Sequence, residues 1–217
     1  KTNEYFLFGG ASDTNIADTT YKLIPVDCGE NPSFKWKKIT LPEEDTLKPE
    51  GRRGHTVTAW KEDGGIEKMV LFGGCDSENK CFNDVWIFKT EEEKWEKFEV
   101  TGATMPAARS KHDAFIRDDK LYIYGGLKDN DNSKALGDLY VLNLKDTGNK
   151  EWKVIPESQY GNTKRAAIFN GGSMVYLKQK DMNIFIQAQD GAVQALRLHG
   201  VCPNDCKNGA TVTDDGK

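Results

Sequence analysis

A repeated pattern constrains this chain more than any other feature of its sequence. An apolar run that ends in two glycines occurs three times, with the pairs at Gly9-Gly10, Gly73-Gly74 and Gly125-Gly126. A polar loop follows each pair, and an acidic residue then precedes a second apolar run. The first glycines are 64 and 52 residues apart. Such a period is typical of repeat proteins in which each copy forms one supersecondary unit.

Two further features complete the repeat. A tryptophan stands in a short third run whose neighbours are charged, and an Arg-x-x-His sequence precedes two of the glycine pairs. These residues are Trp36, Trp95 and Trp152 for the first feature, and Arg52 with His55 and Arg109 with His112 for the second. Because the two histidines occupy equivalent repeat positions, we interpret them as structural residues of the repeat rather than catalytic groups.

Four features in this fixed order resemble the kelch motif, whose repeats each form one blade of a β-propeller, as in the central domain of galactose oxidase. The resemblance covers about residues 5–198 and implies an all-β fold of four-stranded antiparallel blades. The residues agree with it, because a blade packed between two others needs inner strands that are apolar on both faces. Met69–Phe72 is such a continuous apolar run.

The strand count indicates which part of a propeller this is. We predict 14 strands, starting at strand 2 of one blade and ending at strand 3 of a degenerate last copy, in which Ile168 replaces the histidine. That is about three and a half blades of a six-bladed ring, and seven blades fit equally well. We therefore expect residues 1–199 to form the C-terminal part of a propeller. The remaining blades would come from the same parent chain or an adjoining segment.

The redox state of the cysteines bears on the cellular compartment of the protein. Cys75 and Cys81 flank a loop and are positioned to close a short disulfide, whereas Cys28 has no evident partner. Residues 200–217 resemble the start of an EGF-like module, with Cys202 and Cys206 followed by Asn-Gly. We expect the oxidised state and an extracellular or secretory-pathway location. Five reduced thiols in a cytoplasmic protein are the alternative.

Several kinds of chemistry find no support in the sequence. The 30 basic and 34 acidic residues form no basic cluster suited to nucleic acid, and no apolar run is long enough to span a membrane. The acidic run from Asp129 resembles half a calcium loop, but Lys134 stands where an EF-hand has glycine. Asp18, Asp84 and Asp138 are interpreted as turn caps. We predict no catalytic residue, metal or cofactor.

The loops indicate a binding function. Antiparallel strands reverse direction, so the 2–3 and 4–1 connections of every blade emerge at one end, and these are the long ones here. We therefore predict a non-enzymatic scaffold that binds a protein partner with this face. The candidate residues are Arg52, Arg53, Asp76, Glu78, Lys80, Asp129 and Asp131. The alternative is a kelch-fold enzyme or carbohydrate-binding protein whose site lies in the missing blades or the central channel.

Overall fold

The computed structural model describes residues 4–27, 33–41, 47–62, 65–145, 148 and 150–156, and the backbone of 173–177, 182–189 and 192–197. All regular structure in these ranges is β-strand. The strands are β1 (Tyr5–Phe8), β2 (Thr20–Asp27), β3 (Ser33–Lys38), β4 (Thr56–Lys61), β5 (Glu67–Phe72), β6 (Val85–Lys89), β7 (Lys94–Phe98), β8 (Arg109–Ser110), β9 (Asp113–Arg117), β10 (Lys120–Tyr124), β11 (Leu127–Lys128), β12 (Leu139–Asn143), β13 (Trp152–Ile155), β14 (Ser173–Leu177), β15 (Met182–Gln189) and β16 (Ala192–Arg197).

These strands form four antiparallel sheets that follow the chain in order. We call them blade A (β1-β2-β3), blade B (β4-β5-β6-β7), blade C (β9-β10-β12-β13) and blade D (β14-β15-β16). Two complete four-stranded blades thus lie between two three-stranded ones, as predicted. The kelch-type architecture is confirmed, because strands 1 to 4 of each complete blade occupy the stretches that the repeat marked.

A two-stranded ribbon was not predicted. Arg109–Ser110 pairs with Leu127–Lys128, which ties the connection before blade C to the loop between strands 2 and 3 of that blade. Blade B has the same junction, where Arg53 and Cys75 exchange two backbone hydrogen bonds of 2.9 Å. Two-residue strands are too short to show an apolar period, so their pairing leaves no pattern in the sequence.

The core lies between the blades, on both faces of blade B. On one face Met69 and Leu71 belong to a buried cluster that includes Phe8 of blade A. On the other face Val70 belongs to a second cluster, which includes Ile123 of blade C. Successive residues of a strand point to opposite faces. A strand that is buried on both sides therefore needs an unbroken apolar sequence, and β5 has one.

The glycine pairs allow the next blade to approach closely. Gly9 and Gly73 have φ of +69° and +66°, a region that favours glycine. A Cβ on Gly9 would lie 2.8 Å from the carbonyl oxygen of Arg52, and one on Gly73 would lie 2.7 Å from that of Arg109. The second glycine of the latter pair, Gly74, donates its backbone N–H to the same Arg109 oxygen at 2.8 Å. The motif is therefore a contact between blades.

The repeated arginine forms an ion pair with an aspartate of the same blade, which corrects our interpretation of Asp84 and Asp138 as turn caps. Arg52 donates to both carboxylate oxygens of Asp84, at 2.6 and 3.1 Å. Arg109 binds Asp138 in the same way, at 2.6 and 3.0 Å. Both arginine side chains are fully buried. Each carboxylate therefore neutralises a charge that would otherwise be costly to remove from water.

The outer side of blade A is apolar and open. Tyr5, Leu7, Phe34 and Trp36 are 45–57% exposed, and the register of β1, β2 and β3 places them on one face. The matching face of blade B is the one that packs against blade A. Blade A thus presents an interblade surface of the same kind.

Some predicted features fall outside the described residues. They are Cys28, Ile168 and residues 200–217 with the EGF-like pair Cys202 and Cys206.

Candidate functional site

The long loops of blades B and C meet at one end of the sheets, and we call this surface the loop face. It consists of Arg53, Gly54, the loop from Cys75 to Cys81, Lys111 and the loop from Leu127 to Lys134. The backbone pairing of Arg53 with Cys75 and of β8 with β11 holds these segments together. Binding functions concentrate on loops that a rigid scaffold positions in this way.

A disulfide closes the blade B loop. Cys75 and Cys81 are bonded, with their Cα atoms 3.9 Å apart, and they are the pair that the sequence singled out. Inside the loop, Asp76 Oδ1 accepts the backbone N–H groups of Glu78 and Lys80, both at 2.9 Å. Oδ1 of Asp76 therefore shapes the loop. The side chains of Glu78 and Lys80 are exposed.

The blade C loop is ordered by its own charged residues. Asp131 Oδ1 accepts the backbone N–H and the hydroxyl of Ser133, at 2.9 and 2.8 Å. Those hydrogen bonds, with Lys134 nearby, lower the pKa of Asp131. Lys134 Nζ lies 3.1 Å from Asp129 and 3.7 Å from Asp131. The lysine that breaks the calcium-loop pattern thus offsets part of the negative charge of the two carboxylates beside it.

An asparagine bridge connects the two loops. Asn79 Oδ1 accepts hydrogen bonds from Arg53 Nη2 at 3.0 Å and from Asn130 Nδ2 at 2.9 Å. Asn130 Oδ1 in turn accepts the hydroxyl of Ser110 at 3.1 Å. Side chains from four separate segments therefore form one chain of hydrogen bonds across the boundary between blades B and C.

A cavity of about 280 Å³ lies beside this bridge. Its walls are formed by Arg53, Gly54, Lys111 and Asn130. The Lys111 backbone N–H donates to the carbonyl of Gly54 at 2.7 Å, so equivalent positions of the two blades touch here. The lining contains two cationic side chains and no carboxylate.

The candidate residues from the sequence divide into three groups. Arg53 lines the cavity, and the four residues Glu78, Lys80, Asp129 and Asp131 lie on the loop face beside it. One carboxylate oxygen of Asp76 is engaged within its own loop. Arg52 departs from the prediction, because its buried guanidinium is engaged by Asp84 and does not reach the surface.

Three residues of the site were not predicted: Asn79, Lys111 and Asn130. All three have a positive φ, between +52° and +62°. Asparagine at a turn is a known signal for that conformation, and Lys111 stands where the preceding repeat has Gly54. That comparison of repeats is the signal that would have found it.

The architecture of the repeat also explains the role of its two histidines. His55 Nε2 lies 3.1 Å from the carbonyl oxygen of Phe8, and His112 Nε2 lies 2.9 Å from the hydroxyl of Thr56. Burial, and then the neighbouring arginine, lowers the pKa of His55 to about 4 and that of His112 to about 3. Both imidazoles are therefore neutral near pH 7 and join adjacent blades.

Two other kinds of site are absent from the described residues. No three His, Cys, Asp or Glu side chains there are grouped so that they could hold a metal ion. The same part of the chain contains no helix that is long and apolar enough to cross a membrane.

Comparison with known proteins identifies the family. A family model described as the KLHDC2/KLHL20/DRC7 Kelch-repeats domain matches residues 1–204. The dynein alpha chain of the flagellar outer arm of Chlamydomonas reinhardtii is 25% identical over 79% of this chain and 4% of its own length. Tip elongation aberrant protein 1 of Schizosaccharomyces pombe is 31% identical over 66% of the chain and 12% of its own length.

Kelch repeat-containing protein 2 of Saccharomyces cerevisiae is 29% identical over 57% of the chain and 14% of its own length. The chain thus spans between 4% and 14% of these three relatives. Together with the ordered glycine pairs and the four-stranded antiparallel blades, the match over residues 1–204 shows that this chain belongs to the kelch-repeat family.

Proposed function

We propose that this chain is part of a non-enzymatic scaffold that binds a protein partner through its loop face. The observation that carries the proposal is the asparagine bridge, which holds the loops of two blades in one arrangement. Binding is favoured when the surface is already ordered, because less conformational entropy is lost on association. Kelch-repeat proteins generally act as protein-interaction scaffolds, which supports the same function here.

The charges of the loop face indicate the kind of partner. Glu78 and Lys80 project from the disulfide loop, and Asp129 and Asp131 lie with Lys134 on the neighbouring one. Mixed charge at the edge of an interface affects partner choice and the association rate more than it affects affinity. A polar, charged protein surface therefore fits this face better than an apolar ligand.

Two further features support a cellular location for the protein and the presence of additional blades. A disulfide such as Cys75–Cys81 persists in oxidising surroundings, which supports an extracellular or secretory-pathway location. The open apolar side of blade A supports the presence of a further blade, because exposed apolar surface of this extent is unfavourable in water. A six- or seven-bladed ring would cover it.

Charge reversal on the two ends of the blades tests the function. The full-length protein would carry Glu78→Lys, Lys80→Glu and Asp131→Lys as one variant. Proteins that copurify with it would be quantified against those recovered with the unmodified protein. We expect the loop-face variant to recover its specific partners at about a tenth of the original level or less, an effect typical of a disrupted charged interface.

The matched control reverses charges at the opposite end. Arg117→Glu, Asp118→Lys and Glu92→Lys change three charges in the short turns of the same blades. The control variant should recover the same partners at an unchanged level. Partner loss with the control and retention with the loop-face variant would contradict the proposal.

A further inference from the structure

We propose that the Cys75–Cys81 disulfide is a reversible redox switch of the loop face. In the oxidised state it closes the blade B loop, whose Asn79 is joined to blade C. Reduction by a dithiol releases this loop while the blade itself stays folded. The inference goes beyond the proposed function and rests on it only where partners are concerned, because the release of the loop can be measured without one.

The repeat shows that the fold does not need a covalent bond at this position. Directly after its glycine pair, each of blades A, B and C has an isolated antiparallel backbone bridge. The bridged residues are Ala11 with Ile16, Cys75 with Cys81, and Leu127 with Ala135. Two of the three blades therefore form the bridge without a disulfide, and the bond in blade B is an addition to it.

The hydrogen bonds around the bridge are also the same in the three blades. Two backbone N–H groups donate across each bridge, over distances between 2.8 and 3.0 Å. They are Ser12 to Asn15 and Ala17 to Gly10 in blade A, Asp76 to Lys80 and Phe82 to Gly74 in blade B, and Lys128 to Lys134 and Leu136 to Gly126 in blade C. A free cysteine behaves as a small apolar residue. We therefore expect the bridge, and with it blade B, to persist after reduction.

The loops beyond the bridge are held in different ways. In blade C, Lys134 lies 3.1 Å from Asp129 and 3.7 Å from Asp131, so ion pairs connect residues within that loop. Among the described residues, no salt bridge joins two members of the blade B loop. Its closure depends on the disulfide and on the backbone N–H groups that donate to Asp76 Oδ1. Reduction therefore removes a large share of what closes the blade B loop.

Release of the loop affects the asparagine bridge, because Asn79 lies within it. Asn79 has φ of +62°, a conformation that is unfavourable for a residue with a Cβ unless its surroundings hold it. Its Oδ1 accepts hydrogen bonds from Arg53 and Asn130, and such bonds contribute little net free energy at the surface. A loop with more accessible conformations loses more entropy when it forms them. Reduction therefore shifts the loop away from the bridged arrangement.

The two sulfurs differ in their access to a reductant. Cys75 is fully buried, whereas Cys81 is partly exposed. A thiolate of the dithiol attacks Cys81 Sγ, the bond between the two cysteines breaks, and Cys75 leaves as a thiolate that takes up a proton. The second thiol of the reductant then displaces Cys81, so that the reductant departs as a disulfide and the protein holds two thiols. Two electrons pass from the dithiol to the protein, and oxidation reverses the step.

The shortness of the closed loop favours this reversibility. The two cysteines are only six residues apart, and a disulfide restricts the unfolded chain less when the loop that it closes is shorter. The bond therefore adds less to the stability of the fold than a disulfide between distant segments. Its main effect is local, on the loop that carries Asn79.

Hydrogen exchange on the full-length protein tests the switch without a partner. The protein would be held in oxidised or reduced dithiothreitol, and the thiols of Cys75 and Cys81 would be counted by alkylation and mass spectrometry. We expect reduction of the folded protein to speed exchange in residues 76–80 by about tenfold or more, since this loop loses its closure. Exchange in β5 and β6 should stay within about twofold, and reoxidation should restore the loop.

A double variant provides the matched control. Cys75→Ala with Cys81→Ala places at this bridge a residue that blades A and C already have there. The variant should fold, should show the fast exchange of the reduced loop in both buffers, and should not respond to dithiothreitol. Partners recovered by copurification should fall by about tenfold on reduction of the unmodified protein and return on reoxidation, because an unordered loop loses entropy on binding.

Four outcomes would overturn the inference. They are a disulfide that dithiothreitol reduces only after denaturation, reduction that also exposes β5 and β6 to exchange, loop exchange that is equal in the two redox states, and partner recovery that ignores reduction. In the last case, partners that still respond to the charge reversals at Glu78, Lys80 and Asp131 would leave the proposed function standing and remove only its redox control.

Discussion

Arg52 and Asp84, 32 residues apart in the sequence, form a two-point ion pair in which Nη1–Oδ1 is 2.6 Å and Nη2–Oδ2 is 3.1 Å. Arg52 also donates to the carbonyl of Gly73 at 3.1 Å and lies over the ring of Phe82. The pair therefore links the chain segment before strand 1 of blade B to the loop that leads into strand 3. It closes the blade beneath the loop face.

The first prediction concerns this pair. Asp84→Ala should lower the free energy of unfolding by at least about 3 kcal/mol, because it leaves the buried guanidinium of Arg52 without its counter-ion. Asp18→Ala is the control, since Asp18 pairs with Lys48 at the surface. Exposed pairs contribute about 1 kcal/mol or less. Urea unfolding of both variants measures the difference, and equal losses would contradict the prediction.

The second prediction uses a hydrogen bond that one blade makes and the next lacks. Trp95 Nε1 donates to the hydroxyl of Thr20 in blade A at 2.9 Å. Trp152 is the equivalent tryptophan of blade C, but Val85 stands at the position of Thr20, and Trp152 Nε1 is buried without a partner among the described residues. Val85→Thr should therefore be neutral or stabilise the protein by about 1 kcal/mol.

Val70→Thr is the matched control, because Val70 belongs to the same buried cluster but does not stand at the position equivalent to Thr20. It should cost about 1–3 kcal/mol, the usual penalty for burying a hydroxyl without a hydrogen bond. Thermal unfolding of the two variants gives the comparison. A Val85→Thr protein as unstable as the control would show that the new hydroxyl does not reach Trp152.

The repeat made most of the fold predictable. Strands such as Glu67–Phe72 and Trp152–Ile155 are marked by an apolar run next to a glycine pair or by a tryptophan among charged residues. A strand that is buried on both faces has a continuous apolar sequence, and a strand that is buried on one face alternates between apolar and polar residues. Both patterns can be recognised in the sequence. Strand order then follows from the three ordered copies.

The site was less predictable, because its contacts join segments far apart in the chain. Asn79 and Asn130 are separated by 51 residues, and only the packing of blade B against blade C brings them together. The sequence likewise marked Arg52 and Arg53 as one polar pair. In the structure, however, Arg52 points inward and Arg53 points to the cavity, because side chains alternate in direction along an extended backbone.

The third prediction concerns the pH dependence of stability. The folded pKa values of His55 and His112 are lowered to about 4 and about 3. Below pH 6.5 the unfolded chain therefore binds more protons than the folded one, and stability falls with falling pH until the folded pKa is reached. Each histidine should cost about 2 kcal/mol between pH 7 and pH 5.

Urea unfolding at intervals between pH 7 and pH 5 measures this slope. Replacement of His112 by asparagine should reduce the slope by about half, since one of two linked protonations is removed. Carboxylates with lowered pKa, such as Asp119, titrate below this range and should not contribute. Stability that stays constant from pH 7 to pH 5 would contradict neutral, buried imidazoles.

The fourth prediction concerns the disulfide. Cys75→Ser with Cys81→Ser should lower stability by about 2 kcal/mol, the chain-entropy value for so short a loop. The loop should also lose its fixed shape, so that Asn79 no longer holds Arg53 and Asn130. Binding of partners should weaken, and reduction of the unmodified protein should have the same effect. Unchanged binding by the double variant would show that the loop keeps its shape without the disulfide.

The last prediction follows from the tryptophans of the repeat. Trp95 packs on Phe8 of blade A, with ring centroids 5.0 Å apart, and Trp152 packs on Phe72 of blade B at 5.3 Å. Each tryptophan thus contacts the aromatic residue before the glycine pair of the preceding blade. Trp36 is the equivalent residue of blade A, and about half of it is exposed. In the full-length protein we expect a preceding blade to cover it.

Trp36→Ala in the full-length protein should therefore cost about 3–5 kcal/mol, like Trp95→Ala, because both would empty a packed site between blades. Lys37→Ala, at the next position of the same strand, should change stability by no more than about 0.5 kcal/mol. Chemical unfolding of the three variants makes the comparison. If Trp36→Ala were as mild as Lys37→Ala, the apolar side of blade A would be solvent-exposed in the whole protein. The ring would then be open at this blade, since a closed propeller leaves no interblade tryptophan in water.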